Sequence, residues 1–90
     1  MVPSINRALK SADLGRNSIG DEGTTALSDA LKSNSTLEEL KLWDNKIGAA
    51  GGQSLANMLQ FNRALISLNL HWNGIGVGGA KAIADSLPQS

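Results

Sequence analysis

The chain has 90 residues, no cysteine, and eight basic residues against eight acidic ones, so its formal net charge is zero. That describes one small domain without disulfides or thiolate metal sites, and with no basic tract to attract nucleic acid or an anionic membrane. No apolar run approaches the ~20 residues that span a bilayer, and Met1 to Arg7 holds no long apolar segment, which makes a cytoplasmic address the default expectation.

The residues up to Ile5 are too few to form a cap of their own. Beyond them come Leu9, Ala12 and Leu14, and then a helix expected from Asp21 or Glu22 to Lys32. Asp21 is placed to cap the orphan N–H groups of that helix start, where a carboxylate also meets the favourable end of the macrodipole. Ser33-Asn34 is expected to end the helix, asparagine being tolerant of a left-handed C-terminal position. From Leu37 to Ile47 the chain changes period. Leu40 and Leu42 alternate with Glu39, Lys41 and Trp43, the pattern of a short strand with one face buried and the other wet. Gly48 to Leu59 switches back to helical spacing, with Leu55, Met58 and Leu59 on one face of a helix expected over Ala50 to Gln60. A third strand follows, then a helix expected over Gly78 to Leu87, which Pro88 stops.

These segments are copies of one another. Asn6, Asn34 and Asn62 stand 28 residues apart, and the columns align without a gap: Leu9, Leu37 and Leu65; Ala12, Leu40 and Leu68; Leu14, Leu42 and Leu70; Asn17, Asn45 and Asn73; Ile19, Ile47 and Ile75. Gly20, Gly48 and Gly76, then Gly23, Gly51 and Gly79, mark the turn. Leu27, Leu55 and Ile83, then Leu31, Leu59 and Leu87, complete the helical half. A strand, a turn and a helix in so few residues cannot close a core alone, so each unit needs neighbours of its own kind.

In these columns the chain resembles a leucine-rich repeat protein of the ribonuclease-inhibitor type, and Gly23-Thr24-Thr25-Ala26-Leu27-Ser28-Asp29-Ala30-Leu31 is similar in style to the sensing arrays of NOD-like receptors. The resemblance covers nearly the whole chain. It implies an α/β leucine-rich repeat solenoid, a right-handed horseshoe segment with parallel strands on the concave side and helices outside. The repeats span about 6–33, 34–61 and 62–89 of a single domain, 1–90. It also implies that Asn17, Asn45 and Asn73 form a ladder bonding the turn backbones of successive repeats. Terminal repeats of a solenoid normally carry a polar outer face. Here Leu9, Leu14 and Leu27 at one end, and Leu65, Leu70 and Ile83 at the other, are expected to be exposed. A fragment of a longer array, self-associating through uncapped ends, is the expectation.

Four features invite a chemical reading. Gly74-Ile75-Gly76-Val77-Gly78-Gly79 matches G-x-G-x-x-G, but Gly76 and Gly79 are the repeat's own turn glycines, and packing of helix on strand explains them without a dinucleotide. The asparagine column can satisfy turn backbone groups, since a carboxamide offers donors and an acceptor together. The third feature is the wet strand face, which reads Ser11, Glu39 and Ser67; Asp13, Lys41 and Asn69; Gly15, Trp43 and His71. Trp72 extends it, and Arg16 and Asp44 can pair beside it. Two tryptophans near an arginine on a wet face have the composition of a binding hot spot. The candidate contact residues are therefore Asp13, Arg16, Glu39, Lys41, Trp43, Asp44, Asn69, His71 and Trp72. Last, His71 is the single histidine, with no nucleophile at motif spacing, which is weak ground for catalysis. The sequon Asn34-Ser35-Thr36 reads as a chance match.

The expectation is a protein-interaction module with a protein partner, without cofactor, metal or enzymatic activity. The same repeat subclass occurs in Ran GTPase-activating proteins, which makes regulation of a small GTPase the alternative, although this chain lacks their acidic tail.

Overall fold

Alternating apolar residues at positions 12, 14, 40, 42, 68 and 70 hide one side of three short strands, and the helical leucines cover that side. The computed structural model describes residues 9–77, 79, 80 and 83. Their order is β1 (Ser11–Asp13), α1 (Gly20–Leu31), β2 (Glu39–Lys41), α2 (Ala49–Phe61) and β3 (Ser67–Asn69). Gly76, Val77, Gly79, Ala80 and Ile83 are also helical, whereas the remainder of the helix expected over Gly78 to Leu87, with its Pro88 stop, lies outside the described residues. The helices that are bounded begin and end within a residue or so of their expected positions, the usual uncertainty of frayed ends.

The three strands form one parallel sheet in the order β1-β2-β3. Its register is the repeat itself, Ser11 opposite Glu39 opposite Ser67 and Asp13 opposite Lys41 opposite Asn69. Backbone pairing continues past the strands into the turns. Leu14 N–H donates to Lys41 C=O at 2.9 Å and Arg16 N–H to Trp43 C=O at 2.8 Å, and one repeat later Leu42 N–H donates to Asn69 C=O at 2.8 Å and Asp44 N–H to His71 C=O at 2.9 Å.

Behind the sheet, Leu31, Leu37, Leu40, Leu42, Ile47, Leu55, Met58 and Ile75 make the buried core, and Ala12, Leu14, Ile19, Leu27, Leu59, Leu65, Leu68, Leu70 and Ile83 pack against it half-buried. Of the six residues expected to stand exposed at the two ends, only Leu9 is an exposed large hydrophobic; the other five lie against the core. The end that faces away from β2 still carries a hollow of about 220 Å³, lined by Leu59, Leu65, Ile66, Ser67, Leu68, Leu70 and Ile83.

Two expectations about helix ends are corrected. Asp21 does not cap its own helix, whose first turn receives no side-chain cap from Ile19 at the N-cap. Its Oδ1 instead accepts from Gly48 N–H at 2.7 Å and Gly51 N–H at 2.8 Å, at the start of α2 in the next repeat. Residue 21 lies inside α1, where its side chain projects sideways onto the neighbouring helix rather than forward over its own end. Gly51 makes room for it, because a Cβ there would stand 2.6 Å from Asp21 Oδ1.

Nor is Asn34 left-handed. Its Oδ1 accepts from Thr36 N–H at 3.1 Å and Leu37 N–H at 2.8 Å, an Asx turn that leads the chain off the helix into the next strand. Among the described non-glycine residues the left-handed positions are Arg16, Ser18, Asp44, Lys46 and Trp72, all in the turn between strand and helix.

Candidate functional site

Three strands with inward leucines leave the opposite side of the sheet open, and the structure puts all nine candidate contact residues on it or in the turns beside it. Glu39 accepts from Ser11 Oγ at 2.7 Å. Lys41 sits in register between Asp13 and Asn69. Arg16 Nε meets Asp44 Oδ2 at 3.3 Å, an exposed pair of the kind worth about 0.2–1 kcal/mol. Asn69 Oδ1 accepts from His71 N–H at 3.0 Å, and among the described residues its NH2 group makes no hydrogen bond.

Trp43 is held from several sides. Its Nε1–H donates to Asp13 Oδ1 at 3.1 Å, and the same oxygen accepts from Gly15 N–H at 2.9 Å. The ring lies on Gly15, where any Cβ would collide with the indole, so a glycine in this column lets the tryptophan of the next repeat lie flat. The Arg16 guanidinium carbon stands 5.3 Å from the ring centroid. On the other side Trp72 meets Trp43 edge to face, with centroids 6.0 Å apart and planes at 79°. Trp43 is consequently half-buried and fixed, while Trp72 is 73% exposed. Trp43, Asn69, His71 and Trp72 line an open depression of about 550 Å³.

Trp72 also adopts φ 61°, in the left-handed region, like Arg16 and Asp44 in the same column. For a bulky residue this is a strained conformation, which persists only where its surroundings enforce it.

The asparagine column provides that enforcement. Asn45 Oδ1 accepts from Asn17 N–H at 2.8 Å and Ile19 N–H at 3.2 Å, while its Nδ2 donates to Leu14 C=O at 2.9 Å. One repeat on, Asn73 Oδ1 accepts from Asn45 N–H at 2.8 Å and Ile47 N–H at 3.0 Å, and Nδ2 donates to Leu42 C=O at 2.9 Å. Asn17 bonds its own turn, through Leu14 C=O at 2.8 Å. A second ladder was missed by sequence reasoning. Asn62 Nδ2 donates to Leu31 C=O at 2.7 Å and Asn34 C=O at 3.0 Å, and Asn62 Oδ1 accepts from Ala64 N–H at 2.9 Å and Leu65 N–H at 2.7 Å. The 28-residue spacing of Asn6, Asn34 and Asn62 is the signal that could have found it.

The glycine run does not open a cradle within its described residues. A Cβ on Gly79 would collide with Ile75, as one on Gly23 would with Ile19 and one on Gly51 with Ile47, so this column is packed against the isoleucine before it in every repeat. Among the described residues there is no cluster of three or more metal-ligating side chains, and no helix is long and apolar enough to cross a membrane.

A family model described as a leucine-rich repeat matches the chain three times, over residues 6–28, 33–56 and 61–84. No curated protein matches it.

Proposed function

The chain belongs to the leucine-rich repeat family, and from that premise we propose that it is a protein-interaction module presenting the open face of its strands to a protein partner. The observation that carries this reading is Trp72: a large aromatic, 73% exposed, in a strained backbone position, edge-on to a second tryptophan that the fold has already immobilised. Exposed aromatic surface with a polar rim is what interface hot spots are made of, and a fixed ring forfeits little side-chain freedom on binding. The length of the repeat and the helix in each copy favour the ribonuclease-inhibitor type within the family, a right-handed horseshoe used in the manner of NOD-like receptor arrays. The module binds and does not catalyse; His71 is a contact residue, and the cytoplasm is its proposed location.

The test is a pull-down from a proteome with the wild-type chain and Trp72→Ala side by side, scored by mass spectrometry. A protein retained by the wild type and depleted at least tenfold by Trp72→Ala is the expected result. Identical retained sets, with both chains folded by circular dichroism, would refute the assignment of this face.

A further inference from the structure

The polar groups around the two tryptophans divide into those already satisfied and those still free. Each acid on this face is engaged through one oxygen: Asp13 Oδ1 by Trp43 Nε1–H and Gly15 N–H, Glu39 Oε1 by Ser11, Asp44 Oδ2 by Arg16. Arg16 is committed to Asp44 and to the face of Trp43. On the β3 side the balance is reversed. Among the described residues, the Lys41 ammonium, the His71 imidazole and the Trp72 indole N–H make no hydrogen bond or ion pair, and the Asn69 NH2 group is likewise unused. Lys41 and Asn69 are register partners, and Asn69, His71 and Trp72 line the same depression. The depression thus has an aromatic wall, unpaired donors along its β3 side, and no carboxylate in its own lining of Trp43, Asn69, His71 and Trp72.

Resting on the interaction reading above, we propose that this depression takes an acidic peptide segment of the partner, with an apolar side chain seated against Trp43 and Trp72 and an adjacent carboxylate held by Lys41. A carboxylate accepts from several donors at once, and Asn69 and His71 stand beside Lys41 to supply the others. A polyanion such as single-stranded nucleic acid fits less well. At the depression it would find one cation, Lys41, unpaired among the described residues, and its repeating phosphates would run on past the acids Asp13, Glu39 and Asp44 of the same face, where a single peptide carboxylate need not.

The test uses a random peptide display library panned on the immobilised full chain and counter-selected on Trp72→Ala, with synthetic versions of the enriched peptides titrated by tryptophan fluorescence. Asp or Glu next to a large apolar residue should be enriched. Replacing that acid by its amide, or Lys41 by Gln, should weaken binding about two- to fivefold, as expected for a partly exposed charge pair. The two changes together should cost no more than either alone, because they remove the same contact. Enriched peptides that are neutral or basic yet lost on Trp72→Ala would overturn the acidic partner and leave the interaction face standing. Binding that ignores Trp72→Ala would overturn both, and an oligothymidylate that binds more tightly than the best peptide would overturn the choice of peptide over nucleic acid.

Discussion

Replacing Asp21 by Ala tests whether one repeat caps the helix of the next. A single carboxylate oxygen accepts from two N–H groups at the start of α2, at 2.7 and 2.8 Å, and Gly48 at the N-cap has no side chain to take its place. Losing a side-chain cap costs about 0.5–2 kcal/mol, and losing the negative charge at a helix N-terminus a further ~0.3–1 kcal/mol. A chain of 90 residues has about 5–13 kcal/mol in total at ~0.05–0.15 kcal/mol per residue, so the expected loss of about 1–3 kcal/mol is a substantial fraction. Asp21→Asn keeps an acceptor without the charge and should lose about half as much. Urea denaturation followed by circular dichroism gives the size of the effect, and hydrogen exchange gives its place. The amides of Gly48 and Gly51 should lose protection in Asp21→Ala while those opening α1 keep theirs. If instead protection fell at Gly23 and Thr24 with Gly48 and Gly51 unchanged, Asp21 would be capping its own helix and the coupling between repeats would be wrong. Gly51→Ala offers an internal check. Its Cβ would crowd Asp21 Oδ1, so adding Asp21→Ala in that background should cost clearly less than it does in the wild type.

Asn62→Ala should be among the most destabilising substitutions of a polar residue, at about 2–4 kcal/mol, since it strands the carbonyls of Leu31 and Asn34 and the amides of Ala64 and Leu65. The exposed Asn57→Ala on α2 is the control, expected within about 0.5 kcal/mol of wild type in the same denaturation assay. Trp72→Gly should change stability by no more than about 1 kcal/mol, because relief of a left-handed residue (~1–2 kcal/mol) offsets the lost edge contact with Trp43 (~0.5–1.5 kcal/mol), while partner binding falls. A loss above about 2 kcal/mol would show that Trp72 is a structural residue.

The repeat period was the most legible property of the chain, and for a physical reason. Stacked identical units pair residue with counterpart, so Ser11, Glu39 and Ser67 are strand neighbours because they occupy one column. Contacts within a column or along a strand could therefore be read from spacing alone. Contacts that run obliquely could not. Asp21 sits where a local rule places a cap for its own helix, and nothing in the neighbouring residues distinguishes that from a side chain reaching across to Gly48 and Gly51. The left-handed turn was invisible for a related reason: Arg16, Asp44 and Trp72 share no chemistry that favours such a φ, which is imposed from outside by the pairing of turn backbones. For Trp43 the face was read from alternation, but the lie of the ring depends on the missing Cβ of Gly15, a residue in the previous repeat.

The turn that carries the strain also carries the proposed site. Arg16, Asp44 and Trp72 each precede a member of the asparagine ladder, Asn17, Asn45 and Asn73, whose carboxamides bond the turn backbones on either side. With the backbone held by the ladder, the residue in front of it is free to vary without undoing the fold, and the three repeats use that freedom differently. Arg16 and Asp44 spend it on a mutual ion pair and on fixing Trp43. Trp72 meets Trp43 edge to face and is otherwise largely exposed, while its left-handed backbone is the column's own, shared with Arg16 and Asp44. What sets Trp72 apart within its column is therefore its exposure, and the contact proposed for it would reach it from the side of Lys41, Asn69 and His71.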